Sequence, residues 1–313
     1  MTDLLSRSAE ATHAARVALL NGLQTAGYDF VSPTPGTHRL VADRLARARA
    51  GDLRDIFGWG RPFGAADLAP ALLAALEGSG GLTQDGPVLR SALRVSRLDE
   101  RLHLHSMRGG DPNAVFLGPD SYRFVRFLHA LLDGAAPGRV LDIGTGAGAG
   151  ALALAVRCPD AEVVAGDINP LALALTAANA VHSGCRVALA EGPGLVAAPG
   201  DFDLIVANPP YVAGASGRAY RDGGGLLGAE LALSWIEAGL GRLTPGGRFA
   251  LYTGSPVVEG RHLLCTEIER LAAAASARLT WEELDPDVFG GTLRQSAYAE
   301  VERIAAVGVV IAL

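Results

Sequence analysis

The sequence predicts an α/β fold: a mostly parallel sheet flanked by helices, carrying a smaller, helical N-terminal module. Three observations predict it. From about residue 112 onward, apolar strand-like runs alternate with helical patterns, which is the signature of a parallel sheet with crossover helices. Val140 to Ile143, then Gly144 to Gly150, then Ala151 to Ala155 reads as strand, glycine loop and helix. Asn208-Pro209-Pro210-Tyr211 directly follows the apolar run Phe202 to Ala207, so a rigid elbow closes a buried strand.

In chain order, residues 4–27 and 37–49 read as helices separated by the turn Ser32-Pro33-Thr34-Pro35-Gly36. A third helical pattern spans 64–77. Arg90 to Val95 and Arg101 to His105 read as a hairpin around Asp99-Glu100. Helices followed by a hairpin suggest a winged-helix-like module over residues 1–110, serving substrate docking or covering the cleft. Arg108-Gly109-Gly110-Asp111-Pro112 is the expected linker to a second domain at 111–313. Strands of that domain are expected near 138–143, 161–166, 185–190, 202–207, 247–253, 277–284 and 297–305.

Composition narrows the function classes. A chain of 313 residues with 49% hydrophobic content can bury a large core, and its length suggests two domains. No apolar run reaches the length of a membrane span, and Met1 to Arg7 lacks the pattern of a secretory signal, so a cytoplasmic setting is expected. Cys158, Cys185 and Cys265 are odd in number and widely spaced, which indicates neither a disulfide framework nor a metal site. The net charge is −6, where a dedicated nucleic-acid binder carries a basic patch. Arg39, Arg44, Arg47, Arg49 and Arg54 do cluster, but Asp43 stands four residues before Arg47 and Arg44 three before it. That spacing fits a solvated helix face. Lysine is absent altogether.

The chemistry concentrates in the second domain. In the glycine loop, Asp142 precedes Gly144, Thr145, Gly146 and Gly148, and glycines there let backbone approach a ligand. The strand ending in Asp167 offers a carboxylate that can accept both hydroxyls of a ribose, with Ile168 next to it. The elbow supplies the Asn208 amide oxygen, the Pro209 carbonyl and the Tyr211 ring. Two acceptors and an aromatic face suit a planar –NH2 group. The ring, rather than the hydroxyl, is the part of Tyr211 this reading requires.

Asp142-x-Gly144-x-Gly146, Asp167-Ile168-Asn169-Pro170, Ala178-Asn179-Ala180 and Asn208-Pro209-Pro210-Tyr211 together resemble class I S-adenosylmethionine-dependent methyltransferases. Within these they are similar to the PrmC/HemK family, which methylates the glutamine side chain of peptide release factors. Pro119-Asp120-Ser121 resembles that family's Arg-Pro-Asp/Glu-Thr segment, with Gly118 in place of the arginine and Tyr122 in place of a glutamate. Gly223 to Gly228 is reminiscent of its Gly-Gly segment. The resemblance covers about residues 112–306 and implies a Rossmann-like, seven-stranded class I methyltransferase sheet whose last two strands pair antiparallel at one edge. It implies S-adenosyl-L-methionine as cofactor, held by Asp142, Gly144, Thr145, Gly146, Gly148, Asp167, Ile168, Glu191, Asn208, Pro119 and Ser121. It implies catalysis by Asn208, Pro209, Pro210 and Tyr211 without a metal. The expected acceptor is a protein glutamine; an exocyclic amine of RNA or DNA, or a small molecule, is the alternative, and a non-catalytic cofactor-binding protein is a third reading.

Other residues have plainer readings. His103 and His105 share one strand face without a nearby cysteine and are expected on a polar sheet surface. His129 is expected to pack or lie at the surface, and Phe57 and Trp59 to sit in the core. There is no Gly-x-Ser-x-Gly elbow, so a serine hydrolase lacks support.

Overall fold

The computed structural model describes residues 2–45, 50–107, 111–132, 134, 136–196, 198–211 and 225–313. The proposed linker residues Arg108 to Gly110 and the residues Gly223 and Gly224 lie outside the described residues, as do Arg47 and Arg49.

The N-terminal part contains helices α1 (Thr2–Thr25), α2 (Pro35–Leu45), α3 (Leu53–Phe57) and α4 (Pro70–Gly78). The helical pattern read over 64–77 is split. Ala65–Asp67 forms a separate 3-10 turn, with the Asp67 carboxylate accepting from Gly64 N–H at 2.7 Å, and α4 begins only at Pro70. Proline is favoured at this first helical position because its missing N–H would have no partner there anyway.

Two hairpins follow rather than one: β1 (Leu82–Asp85) with β2 (Val88–Ser91), and β3 (Leu93–Leu98) with β4 (Arg101–Ser106). The second turns at Asp99 and Glu100, whose φ values of 50° and 63° are those of a two-residue turn matched to strand twist. His103 and His105 on β4 are not on a solvated face, as the sequence suggested; both are buried. The hairpin is covered, because α1 and the later helix α7 (Pro170–His182) both pack on β4. His105 Nε2 meets Ser96 Oγ at 2.8 Å, and burial pushes the pKa of His103 down to about 4. Phe57 is fully buried and Trp59 packs partly buried beside it. His129 lies 3.3 Å from the Asp99 carboxylate.

The remainder is one mixed sheet. Its strands are β5 (Arg139–Ile143), β6 (Glu162–Asp167), β7 (Ala188–Glu191), β8 (Phe202–Ala207), β9 (Leu243–Val258), β10 (Arg261–His262), β11 (Arg278–Asp285) and β12 (Arg303–Ala312). The order is β11-β12-β9-β8-β5-β6-β7, with β10 paired to β9. β9, β8, β5, β6 and β7 run parallel, while β12 is antiparallel to both β9 and β11. Helices α5 (Pro119–Leu131), α6 (Ala149–Arg157), α7, α8 (Gly225–Gly228), α9 (Glu230–Leu240) and α10 (Leu263–Ala274) connect the strands. This is the Rossmann-like α/β class expected from the alternation.

Two boundaries differ from expectation. The last strand starts at Arg303 rather than near 297, because Ser296–Tyr298 winds into a 3-10 turn with Tyr298 buried and its hydroxyl bonded to Leu227 O at 2.9 Å. The strand at β7 begins at Ala188, since α7 ends in a left-handed Gly184 and the chain needs a few residues to reach the sheet.

The N-terminal part does not stand apart from the sheet. One buried cluster joins Leu19, Leu23 and Leu104 to Ala147, Leu175 and Ala178. The other two clusters fill the two faces of the sheet. No helix of the described residues is long and apolar enough to cross a membrane.

Candidate active-site cleft

A cleft of about 850 Å³ opens at the carboxyl ends of β5, β6 and β8, where open α/β sheets bind ligands. The glycine loop forms its floor. Gly144, Gly146 and Gly148 have φ values of 68°, 58° and 81°, a region in which a side chain would be strained. Gly144 N–H and Thr145 N–H both donate to Gly166 O, at 2.8 and 3.0 Å, which ties the loop to the end of β6. From the other side, Thr176 Oγ donates to Gly146 O at 3.0 Å and Asn179 Nδ2 to Ala147 O at 2.9 Å. The backbone of the loop is therefore set before any ligand arrives.

Asp142 is buried, and its Oδ2 accepts from Thr145 Oγ1 and Ala151 N–H, each at 2.8 Å. Burial raises its pKa to about 7, against the opposing pull of those two bonds. Its visible work is inside the loop, holding the start of α6, although it also lines the cleft. A Cβ at Gly150 would stand 2.8 Å from this carboxylate, so the glycine there is required by packing.

Asp167 ends β6 with one oxygen accepting from Gly146 N–H and the other from Asn169 N–H, both at 2.9 Å. Burial raises its pKa as well. Each oxygen retains lone-pair capacity toward the cleft. Ile168, next to it, is 68% exposed and lines the same cleft, an apolar platform that no protein packing accounts for.

Asn208 to Tyr211 forms the opposite wall. The Tyr211 ring is buried. It lies so close to β9 that a Cβ at Gly254 would come within 2.5 Å of it, and the Phe289 ring meets it edge-on with centroids 5.1 Å apart. Asp120, which lines the same cleft, accepts from Tyr252 Oη at 3.2 Å, and burial pushes the pKa of the Tyr211 hydroxyl up.

The structure brings together Asp142, Gly144, Thr145, Gly146, Asp167, Ile168, Ser121 and the whole elbow in one cleft. Pro119 and Gly148 sit just behind it as the first residue of α5 and the cap of α6. Glu191 is exposed at the end of β7, while Gly192 to Gly194 beyond it line the cleft. Several lining residues escaped the sequence reading. Trp235 on α9 caps Gly144 so closely that a Cβ there would lie 2.9 Å from its ring. Phe289 carries a strained φ of 61°. Phe116 occupies the space above Gly118, where a Cβ would approach its ring to 2.5 Å; this is a reason for glycine in place of the arginine. None of the three belongs to a local motif, and only the fold delivers them.

Comparison with known proteins gives a consistent likeness. Residues 123–278 match the family described as Methyltransferase small domain. The chain is 38% identical over 165 residues to the release factor glutamine methyltransferase of Bordetella pertussis, covering 49% of this chain and 61% of that protein. It is 40% identical over 156 residues to the protein of the same name from Deinococcus radiodurans, covering 49% and 55%. The matches thus span little more than half the length of these curated relatives. Among solved structures, a methyltransferase from Pyrococcus furiosus overlaps 60% of this chain and 82% of its own, at 20% identity and a TM-score of 0.43.

Proposed function

We propose that this protein is an S-adenosylmethionine-dependent N-methyltransferase whose acceptor is the side-chain amide of a protein glutamine, in a peptide release factor. The observation that carries the reading is the meeting of the glycine loop, Asp167 and Asn208-Pro209-Pro210-Tyr211 in a single cleft. The relatives named as release factor glutamine methyltransferases supply the acceptor. A second feature favours a protein over a nucleic acid. The cleft is lined by Asp111, Asp120, Asp142 and Asp167, and by no Lys, Arg or His among the described residues. Such a lining offers no cation to a phosphate backbone.

The residues present fit the cofactor. Asp167 has oxygens with lone pairs to spare for ribose hydroxyls, Ile168 offers an apolar face to the base, and the carboxylates favour a positive sulfonium. Bound S-adenosylmethionine would supply an electrophilic methyl group. The chain's own task is to present the acceptor. Asn208 Oδ1 and the Pro209 carbonyl accept the two amide hydrogens, which favours a pyramidal nitrogen and aims its lone pair. In-line positioning of the two reactants contributes most of the remaining acceleration. The nitrogen proton becomes acidic once the new bond forms, so no strong base is required. In this reading residues 1–110 dock the protein substrate or cover the cleft, 111–313 hold the cofactor, and the enzyme works in the cytoplasm.

The test is methyl incorporation from labelled S-adenosylmethionine into a purified peptide release factor, beside ribosomal RNA, transfer RNA and free glutamine. Label in the release factor, lost when its glutamines are substituted, is the expected result. Label in RNA alone would replace the acceptor, and no cofactor binding by calorimetry would overturn the methyltransferase reading.

A further inference from the structure

One end of the cleft is short of polar side chains. β6 and β7 run in register with Asp167 opposite Glu191, so the loop Gly192-Pro193-Gly194 stands beside the carboxylate proposed to hold the ribose. A base joined to that ribose has this loop and Ile168 for neighbours. Ile168, Pro193, the two glycines and Leu231 line the cleft, and none carries a side-chain donor or acceptor. Glu191 is exposed, and on this strand the lining begins only at Gly192.

Trp235 lines the same cleft from α9, partly buried against the core cluster on this face of the sheet. A Cβ at Gly144 would meet its Cη2 and Cζ3, at 2.9 and 3.4 Å, and a Cβ at Gly194 would meet its Nε1 and Cδ1, at 3.3 and 3.6 Å. These atom pairs are opposite ends of the indole. The ring system therefore lies lengthwise between the glycine loop and the base-side loop, with its benzo edge at Gly144 and its N–H edge at Gly194. Both flanking glycines have positive φ, 68° and 54°, where a side chain would be strained as well as in the way. An indole N–H is a donor only, and a sheltered one normally finds an acceptor. Among the described residues Trp235 Nε1 has no hydrogen-bond partner.

We propose that Trp235 is a cofactor-binding residue that recognises the base, its indole N–H donating to a ring nitrogen of adenine. The inference rests on the methyl-transfer reading of the cleft. Adenine suits this donor, because its ring nitrogens accept in the plane of the base. One such bond can form at the edge of the base while Ile168 covers a face. The bond also selects, since a base presenting a C–H at that point leaves the donor unpaired.

The test is calorimetric binding of S-adenosylhomocysteine to the full-length protein, wild type and Trp235→Phe. Analogues in which a C–H replaces each ring nitrogen of the base in turn complete the set. Trp235→Phe keeps an aromatic ring and deletes the donor. It is expected to weaken S-adenosylhomocysteine about 3- to 10-fold, the worth of one neutral hydrogen bond. One analogue should bind wild type more weakly by a similar factor and lose nothing further in Trp235→Phe, a coupling that an indole serving only as filler would not show. Unchanged affinity in Trp235→Phe, or losses that simply multiply for every analogue, would overturn the proposal. Should Trp235→Phe not fold, the indole N–H resonances of the wild-type protein decide. The chain has three tryptophans, and Trp59→Phe and Trp281→Phe identify the signal of Trp235. That signal should move downfield with S-adenosylhomocysteine and fail to do so with the weakened analogue. A signal that stays put, or moves alike with every analogue, sinks the idea. Wild type binding neither S-adenosylmethionine nor S-adenosylhomocysteine removes the methyl-transfer reading and this inference with it. Normal wild-type binding with Trp235→Phe unaffected removes the inference alone.

Discussion

Asn179 holds both backbone groups of Leu104: its Oδ1 accepts from Leu104 N–H at 2.8 Å, and its Nδ2 donates to Leu104 O at 3.0 Å. The same Nδ2 donates to Ala147 O at 2.9 Å. One fully buried side chain on α7 thus ties the N-terminal hairpin to the glycine loop.

Asn179→Ala should therefore destabilise the protein strongly. It strands two buried backbone groups of Leu104 and one of Ala147, and each unsatisfied group costs about 1–3 kcal/mol. The expected loss is roughly 3 kcal/mol or more by urea denaturation, together with weaker cofactor binding, because the loop carbonyl loses its anchor. A loss below about 1 kcal/mol would mean that the loop is held without it.

The fragment 112–313 contains the whole cleft lining apart from Asp111, yet it should not behave as an independent domain. Removing residues before 112 uncovers Leu175 and Ala178 and deletes the strand bonded to Asn179. The expected outcome is aggregation or loss of a cooperative thermal transition in calorimetry. A soluble fragment that melts cooperatively and binds cofactor would show the shared core to be dispensable.

Asp167→Ala should weaken S-adenosylmethionine binding about tenfold or more, since charge-assisted hydrogen bonds contribute roughly 1.5–3 kcal/mol. Part of the loss would come from freeing Gly146 N–H, which Asp167 now accepts. Calorimetry on Asp167→Asn separates the two, because the amide oxygen can still accept from Gly146 while the charge is gone.

Asn208→Ala should leave the fold and most cofactor affinity in place while kcat falls about 10²–10³-fold, as when one preorganised polar partner is removed from a reacting centre. Steady-state kinetics with the release factor checks this. Normal turnover would eliminate the planar-amide mechanism.

Asp142 makes stability depend on pH. Its folded pKa is about 7 against an ordinary 3.8, so the folded state holds the proton more tightly. The stabilisation is fully present below about pH 4 and is lost as pH rises toward 7, after which it stays constant. At about 1.4 kcal/mol per pH unit, the total is capped near roughly 4 kcal/mol. Urea denaturation at pH 5 and pH 8 should show the fall in wild type, and Asp142→Asn should flatten it, since its amide oxygen can still accept from Thr145 and Ala151.

The sequence by itself determined the α/β class, the strand at 202–207, the glycine loop and the elbow. These depend on local rules: β-strand runs are bounded by Gly and Pro, glycine alone enters left-handed geometry at low cost, and proline fixes φ. Asp142, Asp167 and Asn208 were legible as one site because each sits at the end of a parallel strand, and the topology of such sheets brings those ends together. What only the tertiary structure decided concerns partners far apart in the chain. Asp120 and Tyr252 are 132 residues apart, and Asn179 and Leu104 are 75 apart. Nothing in local pattern records such pairings, because a buried polar side chain finds its partner through the packing of whole elements. The same reason explains the two buried histidines of β4 and the N-terminal part that shares its core with the sheet. Burial is a property of what lands on a residue, and only the assembled fold supplies that.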